Sequence, residues 1–202
     1  MQKVHCLAHG VMSGQKHKMK FDYFWHGNIY SVDECADIAL KLQEDSQMCF
    51  ALDNPAKDTI KTSTVKPVAW QNCKHYLSRL DHLIKYTNIS HFGFHLYDMT
   101  DIDCINFNEY TEENHSQYDW HSDNSKHGDI FDFKMTTILN LSTEPYEGGN
   151  FELFLNGEKH IKELGHTGAV ICFPSWIQHR VTPVTKGKRT TVSIWSRGPN
   201  FR

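Results

Sequence analysis

Three side chains in the second half of this chain are of types that bind metal. His121 and Asp123 stand two residues apart in Tyr118-Asp119-Trp120-His121-Ser122-Asp123. Side chains at i and i+2 of a strand share a face, so this imidazole and carboxylate can hold one ion from one side, provided the strand runs that far. A second imidazole, His179, lies in Pro174-Ser175-Trp176-Ile177-Gln178-His179-Arg180-Val181, and Arg189 follows it ten residues later. Two imidazoles and a carboxylate on one face of a metal leave the opposite positions open, which suits non-haem Fe(II) that must also bind a cosubstrate and O2. With 14 His and 24 acidic residues in the chain, an H-x-D alone says little. The weight comes from Arg189 at the head of an alternating apolar stretch, from Gly148-Gly149 between the two motif halves, and from short strand-like segments between them.

Such residues need a sheet to bring them together. From Phe92 onward the apolar period is two: Phe92, Phe94 and Leu96 alternate, then Ile105 and Phe107. Further strands are expected at Tyr118–His121, Met135–Leu141, Phe151–Leu155, Ala169–Phe173, His179–Val184 and Arg189–Trp195. Glu144–Asn150 reads as a turn, Asn156-Gly157 as a two-residue hairpin, and Lys186-Gly187 as the last turn. Upstream, Phe21–Tyr30 reads as a strand at a sheet edge. Ser31-Val32-Asp33-Glu34 is a capping box, opening a helix with Val32, Cys35, Ile38, Ala39 and Leu42 on one stripe. Asp45–Lys66, with Asn54-Pro55, reads as a polar loop with room for a short strand. Pro67 suits the first turn of a second helix, whose stripe Trp70, Cys73, Leu77, Leu80, Leu83 and Ile84 runs to about Tyr86. Both stripes fit packing against a sheet. Helices first and short antiparallel strands after predict a mainly β fold with flanking helices, a double-stranded β-helix or jelly roll. The expected division is a loose arm over 1–20 and one domain over 21–202, with helical support over about 31–90 and the jelly-roll core over about 92–198.

The 202 residues suffice for one domain with a full core. Hydrophobic residues at 39% and aromatics at 12% argue against wholesale disorder. A net charge of −3 gives no global basic field, so no nucleic-acid partner is expected, although Lys186, Lys188, Arg189 and Arg197 form a local basic group. Cys6, Cys35, Cys49, Cys73, Cys104 and Cys172 are scattered with no C-x-x-C, which fits reduced thiols of a cytoplasmic protein. No apolar run has the length of a membrane span, and no apolar signal core opens the chain. The other histidines have blander readings. His5, with Cys6 and His9, is an accidental cluster in the arm, His75 and His82 are helix-surface or packing residues, and His115 and His127 are solvated loop residues. Ser122–Asp132, polar and directly after the ligands, is placed to act as a lid.

As an ordered set these residues resemble the Fe(II)/2-oxoglutarate-dependent dioxygenases, in particular the prolyl 4-hydroxylase-like branch. The set is Tyr110, Tyr118 three residues before the His121/Asp123 pair, Gly148-Gly149, His179 followed by Val181 and Pro183, Arg189, and Trp195. It covers roughly Phe92 to Arg197. The resemblance implies Fe(II) on His121, Asp123 and His179, with 2-oxoglutarate in two of the open positions and O2 in the third. It implies Arg189 as the partner of the far carboxylate of 2-oxoglutarate, aided by Tyr110. Thr191, two residues along the same strand face, could add a hydroxyl. Some prolyl hydroxylases have Lys at the Arg189 position, so the role carries over and the residue type does not. Tyr118 would border the metal, and Trp195 either lines the substrate side or packs the core. Ascorbate is a candidate auxiliary reductant. The implied reaction couples decarboxylation of 2-oxoglutarate to succinate and CO2 with hydroxylation of a C–H bond, first of all a prolyl or other side chain of a peptide or protein. A free amino acid or small metabolite is the alternative substrate. Nucleic-acid demethylases of this superfamily carry a second Arg six residues after the first, where this chain has Trp195. Halogenases lack the carboxylate that Asp123 supplies. A cupin-type metal module without 2-oxoglutarate, or a binding module that keeps the triad, stays open, and so does the oligomeric state.

Overall fold

The structure, a computed structural model, describes residues 22–46, 60–123 and 131–200. The expectations for the arm 1–20, for Asn54-Pro55, and for His127 and most of the lid lie outside them. In chain order the described elements are β1 (Phe24–His26), α1 (Val32–Ser46), β2 (Thr64–Ala69), α2 (Trp70–Cys73), α3 (Ser78–Thr87), β3 (Cys104–Thr111), β4 (Tyr118–His121), β5 (Asp132–Asn140), β6 (Glu147–Gly148), β7 (Phe151–Phe154), β8 (Glu158–His160), β9 (Val170–Pro174), β10 (His179–Val181), β11 (Val184–Lys186) and β12 (Lys188–Gly198).

An antiparallel six-stranded sheet in the order β1-β9-β5-β12-β3-β2 packs against a four-stranded sheet in the order β4-β10-β7-β8. The fold is the expected jelly roll with flanking helices. Alternation along each strand builds two cores. From β9, Val170 and Cys172 face the helices, while Ile171 and Phe173 face the space between the sheets. A strand buried on both faces reads as an unbroken apolar run, as Val170–Phe173 does.

The helices cover the outer face of the larger sheet. The capping box forms as the sequence predicts: Glu34 N–H donates to Ser31 Oγ at 3.2 Å and Ser31 N–H to Glu34 Oε2 at 2.8 Å. Cys35, Ile38 and Leu42 of α1 and Leu80 and Ile84 of α3 then join the outer core. Among the described residues no helix is long and apolar enough to cross a membrane.

Four expectations need correction. Pro67 does not open a helix. It lies within β2, opposite Asn106 of β3. Because β2 is an edge strand, the missing N–H of proline is tolerated there. The predicted long helix is two, α2 and α3, broken around Lys74–Leu77. His75 and Tyr76 have low helix propensity, yet Trp70, Cys73, Leu77 and Leu80 stay buried across the break, which is why the stripe reads as continuous. Phe92, Phe94 and Leu96 do not form a strand. A π-helical turn, Asn88–Phe92, ends at Gly93 in the left-handed region with φ 71°. The Asn88 side chain then donates to Phe94 O and accepts from Phe94 N–H, both at 2.9 Å, taking the place of a neighbouring strand. The β7–β8 hairpin is present, but its loop is three residues, Leu155–Gly157, between the paired Phe154 and Glu158.

The tail of the expected polar loop has a structural task. Thr62 N–H donates to Gln117 O at 3.0 Å and Asp119 N–H to Ile60 O at 2.9 Å, before the chain enters β2. Residues 60–69 thus tie the β4 edge of the smaller sheet to the β3 side of the larger one.

Candidate active site

β4 ends at His121, so the strand does not reach Asp123. A separate bond holds Asp123 instead: its N–H donates to Ser175 O at 2.9 Å, just beyond β9. His179 stands directly opposite His121 in the β10–β4 register. The ligand-capable atoms of His121, Asp123 and His179 all lie within 4.8 Å of one another. His179 Nε2 is 3.4 Å from Asp123 Oδ2, and His121 Nε2 is 3.8 Å from Asp123 Oδ1.

Both imidazoles are set in one tautomer. His121 Nδ1 lies 2.7 Å from Asp119 O, and His179 Nδ1 lies 3.0 Å from Ile177 O. A carbonyl only accepts, so each Nδ1 carries a proton and each Nε2 keeps a lone pair turned inward. The rings are also clamped. Tyr118 stacks on His121 with centroids 3.4 Å apart, and Phe173 meets His179 edge-on at 4.8 Å. Burial, helped by the neighbouring His179, brings the His121 pKa down to about 4. Burial pushes the Asp123 carboxyl the other way, but the neighbouring His179 side chain outweighs it, and the pKa falls to about 2. Thr136 Oγ1 donates to Asp123 Oδ2 at 2.8 Å, and Ser175 Oγ lies 2.9 Å from Thr136 Oγ1. The Trp195 indole faces the same carboxylate and favours its charge, although its buried Nε1 meets no partner in hydrogen-bond geometry. A charged carboxylate beside a neutral imidazole is the state a divalent metal takes up.

Deeper in the barrel, Arg189 is 1% exposed. Its guanidinium carbon sits 5.3 Å from the centre of the Tyr110 ring, its register partner on β3, and its Nη2 is buried with no hydrogen-bond partner. Such a group is costly unless something anionic meets it. Thr191 is buried on the same strand. Gly149 packs behind the Arg189 stem: a Cβ there would lie 3.1 Å from Arg189 Cδ and 2.9 Å from Val184 Cγ2, and φ is +58°. The residues present therefore fit both a metal and a carboxylate-bearing cosubstrate.

The structure brings His121, Asp123, His179, Tyr118, Tyr110, Arg189, Thr191 and Trp195 into one barrel interior. His75, His82 and His115 are exposed and apart from it. Sequence reasoning missed Thr136, Ser175, Asn108 and Lys61. Lys61 Nζ lies 4.4 Å from the centre of the Tyr118 ring and donates to Asn108 Oδ1 at 3.4 Å. Asn108 Nδ2 donates to Ser193 Oγ at 3.1 Å. For Asn108 a signal existed, since it shares the Tyr110 face of β3 at i−2. For Lys61 none did, because its place depends on the tie to β4.

Residues 105–197 match the family described as the 2OG-Fe(II) oxygenase superfamily. The matched stretch holds His121, Asp123, His179 and Arg189, so in the residues of its site the chain is similar to this superfamily. Fe(II) and 2-oxoglutarate, with O2, are the cofactors this similarity implies, and the triad and Arg189 fit them. A PKHD-type hydroxylase of Alteromonas mediterranea is 40% identical over 65 residues, which are 32% of this chain and 27% of that protein. The match thus spans about a quarter of the relative's length. Among solved structures, a Pseudomonas putida prolyl-4-hydroxylase superposes with a TM-score of 0.68 at 20% identity, covering 90% of this chain and 95% of that one. The viral collagen prolyl hydroxylase of Paramecium bursaria Chlorella virus-1 gives 0.65 at 15% identity, covering 89% and 97%. A Trichoplax adhaerens prolyl hydroxylase, solved with a hypoxia inducible factor peptide fragment, gives 0.64 at 17% identity, covering 87% and 83%. At these identities the likeness establishes the fold shared with the prolyl 4-hydroxylases.

Proposed function

We propose that this chain is an Fe(II)/2-oxoglutarate-dependent hydroxylase acting on a prolyl or other side chain of a peptide or protein. The observation that carries the reading is the buried, unpartnered Nη2 of Arg189 behind two imidazoles and a carboxylate. A metal module without an oxoacid has no use for a guanidinium in that place. In this reading His121 Nε2, His179 Nε2 and an Asp123 oxygen hold the iron. When bound, Fe(II) with 2-oxoglutarate and O2 supplies the oxidant that hydroxylates a C–H bond, with succinate and CO2 as products.

The protein's part is to bind, orient and exclude water. Arg189 pairs the far carboxylate of the cosubstrate, using the planar fork that suits a carboxylate. Tyr110, whose ring centre lies 5.3 Å from that guanidinium carbon, and Thr191 offer hydroxyls to the same group. Asp119 O and Ile177 O fix the imidazole tautomers, and Thr136 fixes the orientation of the Asp123 carboxylate, the kind of support that conditions metal affinity. Phe151, Phe173 and Tyr118 keep the imidazoles in a dry wall. The peptide substrate is supported by the fold shared with prolyl hydroxylases, one of them solved with a peptide. A cytoplasmic setting is supported by Cys35, Cys73, Cys104 and Cys172, none of which is in a disulfide.

The test is anaerobic. Fe(II) and then 2-oxoglutarate are added to metal-free protein while the weak visible band of the chelate is followed, and O2 is then admitted and succinate assayed. A band that requires His179 and decays with succinate release is the expected result. Tight Zn or Mn binding with no band would overturn the reading.

A further inference from the structure

Trp195 has two sides. Its indole edge faces the Asp123 carboxylate, and its ring also helps wall a cavity of about 170 Å³ together with Tyr97, Met99, Phe131 and Phe133. We propose that this cavity is a side-chain subsite that takes an apolar residue close to the modified residue of an extended polypeptide substrate. The proposal rests on the hydroxylase reading above.

Size, lining and continuity each support it. Self-contained small-molecule sites hold roughly 300–1,000 Å³, so this cavity is a subsite for one side chain, not a place for a whole ligand. Phe133 lies 6.0 Å from Trp195 and 5.8 Å from Phe131 between ring centres, so the walls are aromatic. The charged groups at its rim are each paired, Asp98 with Lys85 at 3.2 Å and the other two with each other. Arg197 pairs with Asp103, and its guanidinium lies 4.9 Å over Phe131. The occupant favoured by such walls is uncharged and apolar.

The cavity does not stand alone. It shares Tyr97, Asp98 and Met99 with a second cavity of about 350 Å³, lined also by Ile89, Phe94 and Leu96. The irregular segment 94–99 thus walls both cavities, and beside it Ile89 is 70% and Tyr97 47% exposed. Large exposed apolar residues grouped beside a site mark a contact surface. A free amino acid would leave this surface unused. An extended peptide, whose successive side chains point to opposite sides at about 3.3 Å per residue, would use it.

The experiment uses decapeptides of alanine and serine around one central proline, with a single leucine moved from three residues before the proline to three after it. Binding to the full chain is measured by calorimetry under anaerobic conditions, with and without Fe(II) and 2-oxoglutarate, and succinate release is measured separately. One leucine position should tighten Kd about tenfold, the effect of burying that side chain. Cys104→Phe, which fills the cavity from its exposed side, should erase that gain. Met99→Ala, which enlarges it, should move the preference at the same position from leucine to phenylalanine, a gain that a misfolded protein would not show. Equal binding of all leucine positions, a preference untouched by both substitutions, or turnover of free proline with no peptide binding would overturn the proposal. Leucine-selective binding without succinate would leave the subsite standing and remove the hydroxylase reading. Succinate release indifferent to leucine would do the reverse.

Discussion

The two faces of the six-stranded sheet are made by the same strands and built on opposite principles. Toward the helices, β12 presents Val192 and Ile194, and the neighbouring strands add Leu139, Val170 and Phe107, all buried. Toward the smaller sheet, β12 presents Arg189, Thr191, Ser193 and Trp195, with Asn108 and Tyr110 beside them on β3. On this inner side Arg189 Nη2 and Trp195 Nε1 are buried without a hydrogen-bond partner. An apolar face is complete in itself, whereas a polar face with unmet donors is complete only when something is bound. The period of two lets one strand serve both purposes, because neighbouring residues never share a face.

Substitutions should separate the faces. The largest expected effect on activity is at the metal: Asp123→Ala should abolish succinate formation while far-ultraviolet circular dichroism stays that of the folded protein. Wild-type turnover in that variant would remove the metal assignment. Next comes the contrast within β12. Arg189→Ala should raise the KM for 2-oxoglutarate about 10- to 100-fold, the worth of a hydrogen bond to a charged group. Its melting temperature should fall less than that of a core truncation, since the buried Nη2 is unmet in the free protein. Ile194→Ala, on the other face, should cost about 2–5 kcal/mol in denaturant unfolding with little change in that KM. If the two variants behaved alike, the division of labour between the faces would be wrong.

A smaller effect is expected where the faces are linked through a turn. Gly149→Ala places a methyl against Arg189 Cδ and demands a left-handed conformation, which costs about 1–2 kcal/mol. It should raise the KM for 2-oxoglutarate severalfold, read together with the unfolding midpoint. The smallest effect lies on the helical layer. Hydrogen bonding to Arg79 and Ser31 holds the Glu34 carboxyl down at about 2, against 4.5 ordinarily. A depressed acid contributes stability that is fully present above pH 4.5 and is lost as pH falls toward 2. The melting-temperature gap between wild type and Glu34→Gln should therefore close over that window, and a constant gap would show that the pair contributes nothing through its charge.

Much of this was legible in the sequence because local patterns carry it. β3 and β7 follow from alternation, β9 from its apolar run, α1 from its capping box, and the gathering of His121, Asp123, His179 and Arg189 from an ordered spacing, whereas β6 lies where a turn was expected. What stayed hidden depends on distant partners. Pro67 looks like a helix start because nothing local says that β2 is an edge strand. Phe92–Leu96 has the alternation of a strand, but its backbone is satisfied by the Asn88 side chain. Asp123 would share a face with His121 only if the strand ran on to it, whereas its place comes from a bond to Ser175, fifty-two positions away in sequence. Thr136 and Lys61 enter the barrel through register and through the tie to β4, and neither leaves a mark in composition or period.

Residues 60–69 do more than close a seam. They cover the outer edge of β3 and line the outer edge of β4, so a local opening of this one stretch would bare two strand edges and widen the barrel rim in the same event. Exposed edges are templates for pairing with other chains. Hydrogen exchange at Thr62 and Asp119 should then report a single shared opening, and its frequency would set both how often the barrel admits large ligands from that side and how readily the protein self-associates. Access and aggregation would be governed by one equilibrium, so a change that loosens this stretch to speed the first should worsen the second.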